Sequence, residues 1–510
     1  MCFSKEMRDE DATIIDTHAA FTVRRPTVMI VLALMAALAL RFVALGDDSL
    51  WMDEGFTWLV ARAPVTEVVS MTERIERAPP LSYLVVHGFL QLSEGEVAVR
   101  AASALSGVLA VAASIWLGWV AFGLREGVLA GLLLAVSALH VMMSRDARAY
   151  SMAALLITLS SGFWLCELRN PGRRGPLAAY VVSTLLAIYT HYVCLFIVGL
   201  QVLTGLLRWQ PAARSLGRTV LGPRVLAWGV VLLAYLPWVP ALLAQQTRGS
   251  SGFVPVVKLY ASATSLPDAL FVQAVGFFLN LPSIWLWYAV AALAGGLMVL
   301  PAALDGGLAA RFLATVCGGA IGTLIVVSLP HGLGLYSAKY LVLVSPVFWV
   351  LVARSATLTA ERGLRVAGLL VVAAPLLLNL VSTANLLTLD EWHNQDWRGA
   401  VQAVAAKGRA DDVALLVPIY ATPVTEYYWT RFSPQPRFAG LDAARVNALS
   451  AADLASASRI WLIEGDPSMV DPQGRVEQLL DATRSRLAGW ASYRRNPSLR
   501  VRVTLFGAPR

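Results

Sequence analysis

Long apolar runs separated by short arginine clusters constrain this sequence more than any other feature. A helix needs about 20 consecutive apolar residues to cross the hydrocarbon core of a membrane. The chain is 57% hydrophobic and only 15% charged over its 510 residues, whereas soluble domains average about 25% charged residues. We therefore predict a polytopic α-helical membrane protein.

The apolar runs predict about eleven membrane spans. The stretch 177–207 is too long for one ordinary span and carries Thr190, His191 and Tyr192 at its middle, so we predict two short spans joined there. The first run is too long for a signal-peptide core and is interpreted as a retained span. The predicted spans are 27–45, 97–121, 126–143, 150–168, 177–190, 192–207, 224–245, 283–303, 311–329, 338–356 and 363–383.

The basic residues between these spans predict the orientation of the chain. Lysine and arginine accumulate in cytoplasmic loops, and a cytoplasmic N-terminus puts Arg125 and the clusters at 169–174, 208–224 and 354–365 on one side. This arrangement explains the net charge of +8, so we predict no nucleic-acid partner. The outer segments are then 46–96, 144–149, 190–192, 246–282, 330–337 and everything after about 384.

The sequence predicts two domains: a transmembrane module over 1–383 and a small extracytosolic α/β domain over 384–510. In the first outer loop, 46–96, the amphipathic pieces 56–71 and 80–92 suit helices lying along the membrane interface. After 384, "DDVALLVPIY", "SRIWLIEGD" and "LRVRVTLFG" are typical of strands, while "WRGAVQAVAAK" and "GRVEQLLDATRSRL" have helical periodicity.

Two adjacent carboxylates, Asp53 and Glu54, follow the first span in "LWMDEGF". They could simply mark the polar end of that span. Their neighbours Trp51, Met52 and Phe56 are apolar, however, and a carboxylate held among such groups has its proton affinity raised towards the range of a general base. We predict a catalytic role for this pair.

The segment "SRDARAYSM" places Arg145, Asp146, Arg148 and Tyr150 where a span meets the outer face. Arginines that only marked topology would lie on the other side. Fixed guanidinium groups can bind a phosphate bidentately, so we predict Arg145 and Arg148 as phosphate-binding residues, with Asp146 and Tyr150 supporting them.

Two further groups fall on the same predicted face. His191, flanked by Tyr189 and Tyr192, could be a packing residue, a phosphate donor, a divalent-ion ligand or an acid/base partner. Lys339 heads an apolar span with Tyr340; it could snorkel to the interface or pair with a bound anion.

These groups together predict one extracytosolic cavity, with carboxylates on one wall and cations on the other. Such a cavity suits a lipid-linked phosphate as leaving group and a hydroxyl acceptor. No cofactor is established by the sequence; Asp53, Glu54 and His191 are candidate ligands of a divalent cation.

The ordered set of short stretches resembles the membrane-embedded GT-C glycosyltransferases of the protein O-mannosyltransferase and aminoarabinose-transferase type, which use polyprenyl-phosphate sugars. The stretches are "LWMDEGF", "APPLSYLVVHGFL", "VRAASALSG", "RDARAYSM", "LLAIYTHYVCLFIVGLQ", "KYL" and "DWRGAVQAV". Two positions depart from the family: Ala78 stands where histidine often precedes the paired prolines, and Lys339 stands where arginine is frequent.

The resemblance implies an inverting transferase on the outer face of the bacterial cytoplasmic membrane. By carry-over, Asp53 is the catalytic base, Glu54 organises the site, and Arg145, Arg148, His191, Lys339 and Tyr340 bind the donor phosphate or shape its site. The expected partners are a polyprenyl-phosphate sugar, membrane lipid and a hydroxyl acceptor on a protein, a lipid-linked glycan or an envelope polymer. The alternative from another class is a transporter or flippase of lipid-linked sugars.

Overall fold

The computed structural model describes residues 24–207, 214–247, 296–328, 338–388, 394–466, 470–492 and 500–509. The predicted outer segment 330–337 and nearly all of 246–282 lie outside these residues.

Helices dominate the described part of the chain up to residue 388. They are α1 (Arg24–Phe42), α2 (Met52–Ala61), α3 (Val65–Ile75), α4 (Leu81–Leu90), α5 (Glu96–Ala121), α6 (Leu124–Ala135), α7 (Ala138–Arg145), α8 (Tyr150–Arg169), α9 (Arg174–Ile188), α10 (Val193–Leu207), α11 (Arg214–Tyr235), α12 (Val239–Thr247), α13 (296–303), α14 (Leu308–Ser328), α15 (Ala338–Leu341), α16 (Ser345–Glu361) and α17 (Arg365–Thr388). Short 3₁₀ turns at Leu236–Trp238 and Val342–Val344 join α11 to α12 and α15 to α16.

These helices confirm the prediction of a multi-pass α-helical membrane protein. Within the described ranges, five helical stretches have the length and apolarity of a membrane span. The pair α6 and α7, bent by 60°, makes six if it is one broken span, and several shorter apolar helices accompany them. Ten of the eleven predicted spans have a helical counterpart, whereas residues 283–295 of the predicted span 283–303 lie outside the described residues. The number of true crossings stays a prediction.

The joint predicted in the long apolar stretch is confirmed, because α9 ends at Ile188 and α10 begins at Val193. The break between α6 and α7 was not predicted. Its backbone groups find distant partners: Arg41 donates to the carbonyl of Ala135, Thr383 donates to that of Val136, and the Asn379 side chain accepts from the amide of Ala138. A broken helix in apolar surroundings needs such partners.

The last part of the chain forms a five-stranded sheet with helices, as predicted. The strands are β1 (Val413–Val417), β2 (Arg437–Gly440), β3 (Ile460–Gly465), β4 (Arg484–Ala491) and β5 (Val501–Pro509), in the order β2-β1-β3-β5-β4. β1 pairs in parallel with β2 and β3, while β5 is antiparallel to β3 and β4. The helices are α18 (Trp397–Lys407), α19 (Thr422–Phe432), α20 (Ala443–Ala448), α21 (Ala451–Leu454) and α22 (Arg475–Thr483).

One secondary-structure prediction in this domain was wrong. The helical periodicity of "GRVEQLLDATRSRL" continues through Leu487, but α22 ends at Thr483 and Arg484 begins β4. Pairing with β5 overrides the local helical preference, and the register shifts between Arg484 and Ala488 mark an irregular edge strand.

The chain divides into two compact units. The first comprises residues 1–43, 72–82 and 102–385, and the second comprises 44–71, 83–101 and 386–510. The second unit therefore contains parts of the segment 46–96 as well as the sheet. The simpler predicted boundary between 383 and 384 stays a prediction.

Glu464 on β3 gives the sheet domain a pH-dependent stability. Its carboxyl group is 2% exposed, and burial raises its pKa to about 7, although Arg502 opposes this shift. The unfolded chain loses this proton near pH 4.5 and the folded chain near pH 7. The free energy of unfolding should therefore fall by about 3 kcal/mol across this window as the pH rises.

Amide hydrogen exchange of β3 in the full chain would measure this effect. Glu464→Gln imitates the protonated group, so it should match the parent at about pH 5 and protect β3 better at about pH 8. Equal protection of the two proteins at the higher pH would contradict the prediction.

Candidate active site

The two predicted carboxylates lie in the first turn of α2. Trp51 precedes the helix with extended backbone, and its amide donates to Oε2 of Glu54 at 3.3 Å. Both Asp53 and Glu54 are buried, and acidic residues are favoured at a helix N-terminus by the helix dipole. The local sequence therefore explains why a helix starts here despite two carboxylates in apolar surroundings.

Glu54 is held by Arg100 in a buried bidentate ion pair. Nε of Arg100 lies 2.7 Å from Oε1 and Nη2 lies 2.6 Å from Oε2, with side-chain exposures of 3% for Arg100 and 0% for Glu54. One guanidinium group thus occupies both oxygens of this carboxylate. These contacts favour the site-organising role of Glu54 over proton transfer.

Gly55 lets α2 approach α19 closely. A Cβ atom on Gly55 would lie 2.5 Å from the backbone nitrogen of Val424, a distance that no side chain tolerates. Beside this contact the ring of Trp58 meets Tyr427 edge to face, with 5.2 Å between centroids. The glycine in "LWMDEGF" is thus required by packing, and this packing fixes the helix that carries Asp53.

The predicted phosphate-binding arginines both have protein partners. Nη1 of Arg145 donates to the carbonyl oxygens of Leu40, Arg41 and Val43 at 3.3, 3.4 and 2.8 Å, at the end of α1. Arg148 forms an ion pair with Glu76, with 3.1 Å between Nη1 and Oε1. Each guanidinium therefore has a structural role, and phosphate binding by either stays a prediction.

Three other predicted residues from separate parts of the chain meet in one cluster. The ring centroids of Tyr150 and His191 are 5.5 Å apart, those of His191 and Tyr340 are 5.5 Å apart, and those of Tyr150 and Tyr340 are 6.1 Å apart. Nδ1 of His191 accepts from the amide of Val193 at 3.2 Å, which places the proton of a neutral ring on Nε2. We call these three residues the aromatic cluster.

Three predicted residues remain, namely Lys339, Asp146 and Tyr192. Lys339 precedes Tyr340 in α15, and its side chain is outside the described part. The backbone oxygen of Asp146 accepts from the amide of Arg148. The hydroxyl of Tyr192 donates to Gln245 and accepts from Trp238. The expectation that Asp53 shares one cavity with the phosphate-binding residues stays a prediction.

The described ranges contain no evident metal-binding site. Among those residues no three histidine, cysteine, aspartate or glutamate side chains are grouped to hold an ion. Of the candidate ligands, Glu54 is engaged by Arg100.

Sequence reasoning missed Arg100 and Glu76, the partners of Glu54 and Arg148. One signal for Arg100 was present: an arginine inside the apolar run "VRAASALSG" calls for a nearby anion. For Glu76, which lies 72 positions from Arg148, the sequence carries no comparable signal.

The fold and these elements define a multi-pass membrane protein with the GT-C fold, which confirms the resemblance at the level of the fold. The structure matches ArnT, an aminoarabinose transferase, from Cupriavidus metallidurans bound to undecaprenyl phosphate, with a TM-score of 0.57 and 15% identity over 94% of this chain and 98% of that chain. It also matches the oligosaccharyltransferase AglB from Archaeoglobus fulgidus in complex with an inhibitory peptide and a dolichol-phosphate, with a TM-score of 0.53 and 13% identity over 91% and 73% of the two chains. No protein-family model and no curated protein sequence matches the chain.

Breaking the buried ion pair between Arg100 and Glu54 should cost far more stability than breaking an exposed pair. Arg100→Gln leaves Glu54 as an uncompensated buried charge, which costs about 3–5 kcal/mol. Glu426→Gln breaks an ion pair with Arg62 whose side chains are 37% and 42% exposed and leaves Arg62 over the Trp58 ring, so it should cost less than about 1 kcal/mol. Reversible unfolding in detergent would compare them, and equal losses would refute this ranking.

Proposed function

We propose that this protein is an inverting glycosyltransferase that moves a sugar from a polyprenyl-phosphate donor to a hydroxyl acceptor. The GT-C fold supports this proposal, and two proteins with that fold are described with undecaprenyl phosphate and dolichol-phosphate. The observation that carries it is the first turn of α2, where a buried Asp53 stands beside a Glu54 locked by Arg100.

Asp53 acts in this proposal as the general base. Its carboxylate takes the proton of the acceptor hydroxyl while the acceptor oxygen forms a bond to the anomeric carbon of the sugar. The bond between that carbon and the phosphate oxygen breaks on the opposite face, and polyprenyl phosphate leaves with the bonding electrons. One base suffices because phosphate is a good leaving group once cations neutralise its charge.

We propose that His191, Tyr340 and Lys339 bind the donor phosphate, and that ring contacts with Tyr150 hold His191 and Tyr340 in place. Nε2 of His191 and the hydroxyl of Tyr340 are hydrogen-bond donors, and the ammonium group of Lys339 adds a positive charge. Arg145 and Arg148 contribute a positive field while they retain the end of α1 and Glu76 as partners.

The proposed location is the outer face of a bacterial cytoplasmic membrane, with the sheet domain on the same side. The arginine distribution supports this orientation. The donor sugar is a hexose or a pentose, and the acceptor hydroxyl belongs to a protein, a lipid-linked glycan or an envelope polymer. The rival function, transport of lipid-linked sugars, has no support from the transferases that share the fold.

Asp53→Asn tests the proposed base. The amide has nearly the same shape but cannot accept the proton, so transfer should fall about 10²- to 10⁴-fold. The assay incubates purified protein with radiolabelled polyprenyl-phosphate sugars and crude membrane acceptors. Glu67→Gln, at an exposed position on α3, is the matched control and should keep full activity; full transfer by Asp53→Asn would show that Asp53 is not the base.

Donor binding is tested separately from chemistry. Lys339→Met and His191→Ala each remove a group that we place on the phosphate, so KM for the donor should rise about tenfold, the worth of one charge-assisted hydrogen bond. Tyr189→Phe is the control, because the Tyr189 hydroxyl donates to the carbonyl of Ala234. An unchanged donor KM in both variants would remove these residues from the phosphate site.

A further inference from the structure

Arginine side chains hold the irregular segment between α1 and α2. All five carbonyl oxygens from Leu45 to Ser49 accept hydrogen bonds from Arg100 or Arg398. Arg100 donates to Leu45, Asp48 and Ser49 at 2.8, 3.0 and 3.0 Å, and Arg398 donates to Gly46, Asp47 and Asp48 at 2.8, 3.1 and 3.2 Å. We call residues 45–49 the carbonyl segment.

The two arginines come from different parts of one compact unit. Arg100 lies in α5 and also holds Glu54, whereas Arg398 lies in the first turn of α18 in the sheet domain. The amide of Arg398 donates to Oγ of Ser49 at 3.1 Å. The sheet domain is therefore hydrogen-bonded to the carbonyl segment through both the backbone and the side chain of Arg398.

The sheet domain also forms hydrogen bonds with Leu50, after the carbonyl segment, and with Glu96, at the start of α5. The amide of Leu50 donates to the hydroxyl of Tyr428 in α19 at 2.7 Å. At the start of α5, Glu96 accepts from both Arg398 and Arg431, at 2.9 and 3.2 Å. The sheet domain is thus hydrogen-bonded to carbonyl oxygens of the carbonyl segment and to the amide of Leu50, the next residue towards α2.

Ser49 lies only four positions before Asp53, so a shift of the carbonyl segment moves the first turn of α2. A misplacement of a reacting group by about 1 Å can reduce a rate about 10²-fold. We propose that the sheet domain positions the catalytic base, an inference that rests on the proposed function. Arg398 is the positioning residue through which the sheet domain acts.

Arginine suits this task better than lysine. Its planar fork offers five N–H donors in fixed directions, whereas an ammonium group is a compact point charge on a flexible stem. Arg398 uses that fork on three carbonyl oxygens and the Glu96 carboxylate. Lysine at this position could keep the ion pair with Glu96 but could not satisfy the three carbonyl groups together.

The experiment combines steady-state kinetics with amide hydrogen exchange on the full-length protein. Arg398→Gln should lower kcat about 10- to 100-fold and change KM for the donor less than about threefold, because it displaces the base and not the phosphate site. Exchange should quicken in a peptide covering 44–53, while β3 stays protected. Arg398→Lys should fall between Arg398→Gln and the parent in both measurements.

The control is Arg437→Gln, an exposed arginine on β2 of the same domain, which should leave both measurements at parental values. Parental kcat in Arg398→Gln, or unchanged exchange over 44–53, overturns the proposal. If β3 also loses protection in Arg398→Gln, the comparison passes to Arg398→Lys, and parental kcat there overturns it. If the parent transfers no sugar, the proposed function fails, and the exchange data alone decide whether Arg398 holds the segment.

Discussion

Hydrogen bonds from arginine to backbone carbonyl oxygens are the interaction on which the described structure depends. A helix leaves its last carbonyl groups without partners inside the helix, and in apolar surroundings no water replaces them. The guanidinium group can reach several such oxygens at once. Examples are Arg41 at the end of α6, Arg145 at the end of α1, Arg169 at the end of α5, and Arg100 and Arg398 along the carbonyl segment.

These hydrogen bonds give a further reason for an arginine to occur in an apolar chain. The orientation rule treats arginines as markers of the cytoplasmic side, and an arginine on the other side then suggests an anionic ligand. Arg145 shows a third cause, because its partners are carbonyl groups at the end of a neighbouring helix. A phosphate near Arg145 or Arg148 would share these groups with existing protein contacts.

Local patterns predicted most of the apolar helices, the joint at 190–192 and three strands of the sheet, because periodicity and turn residues are encoded within each segment. They predicted one amphipathic piece over 56–71, where the structure has the two helices α2 and α3. They did not predict the break after Ala135, which has no proline or glycine and depends on Arg41, Asn379 and Thr383 from elsewhere. Arg484 is a strand residue for a similar reason, because its conformation depends on pairing with β5, which comes later in the chain. At the candidate site, sequence singled out Asp53 and Glu54, but the lock on Glu54 comes from Arg100, 46 positions away.

The segment 46–96 is divided between the two compact units, which supports the proposal that the sheet domain positions the catalytic base. Residues 72–82 belong with the membrane helices, to which they are attached by the ion pair of Glu76 with Arg148 and the bond from the Leu81 amide to the Tyr189 carbonyl. Residues 44–71 belong with the sheet domain. Asp53 therefore belongs to the same unit as Arg398, and this arrangement allows a domain without a reacting group to set the geometry of the proposed base.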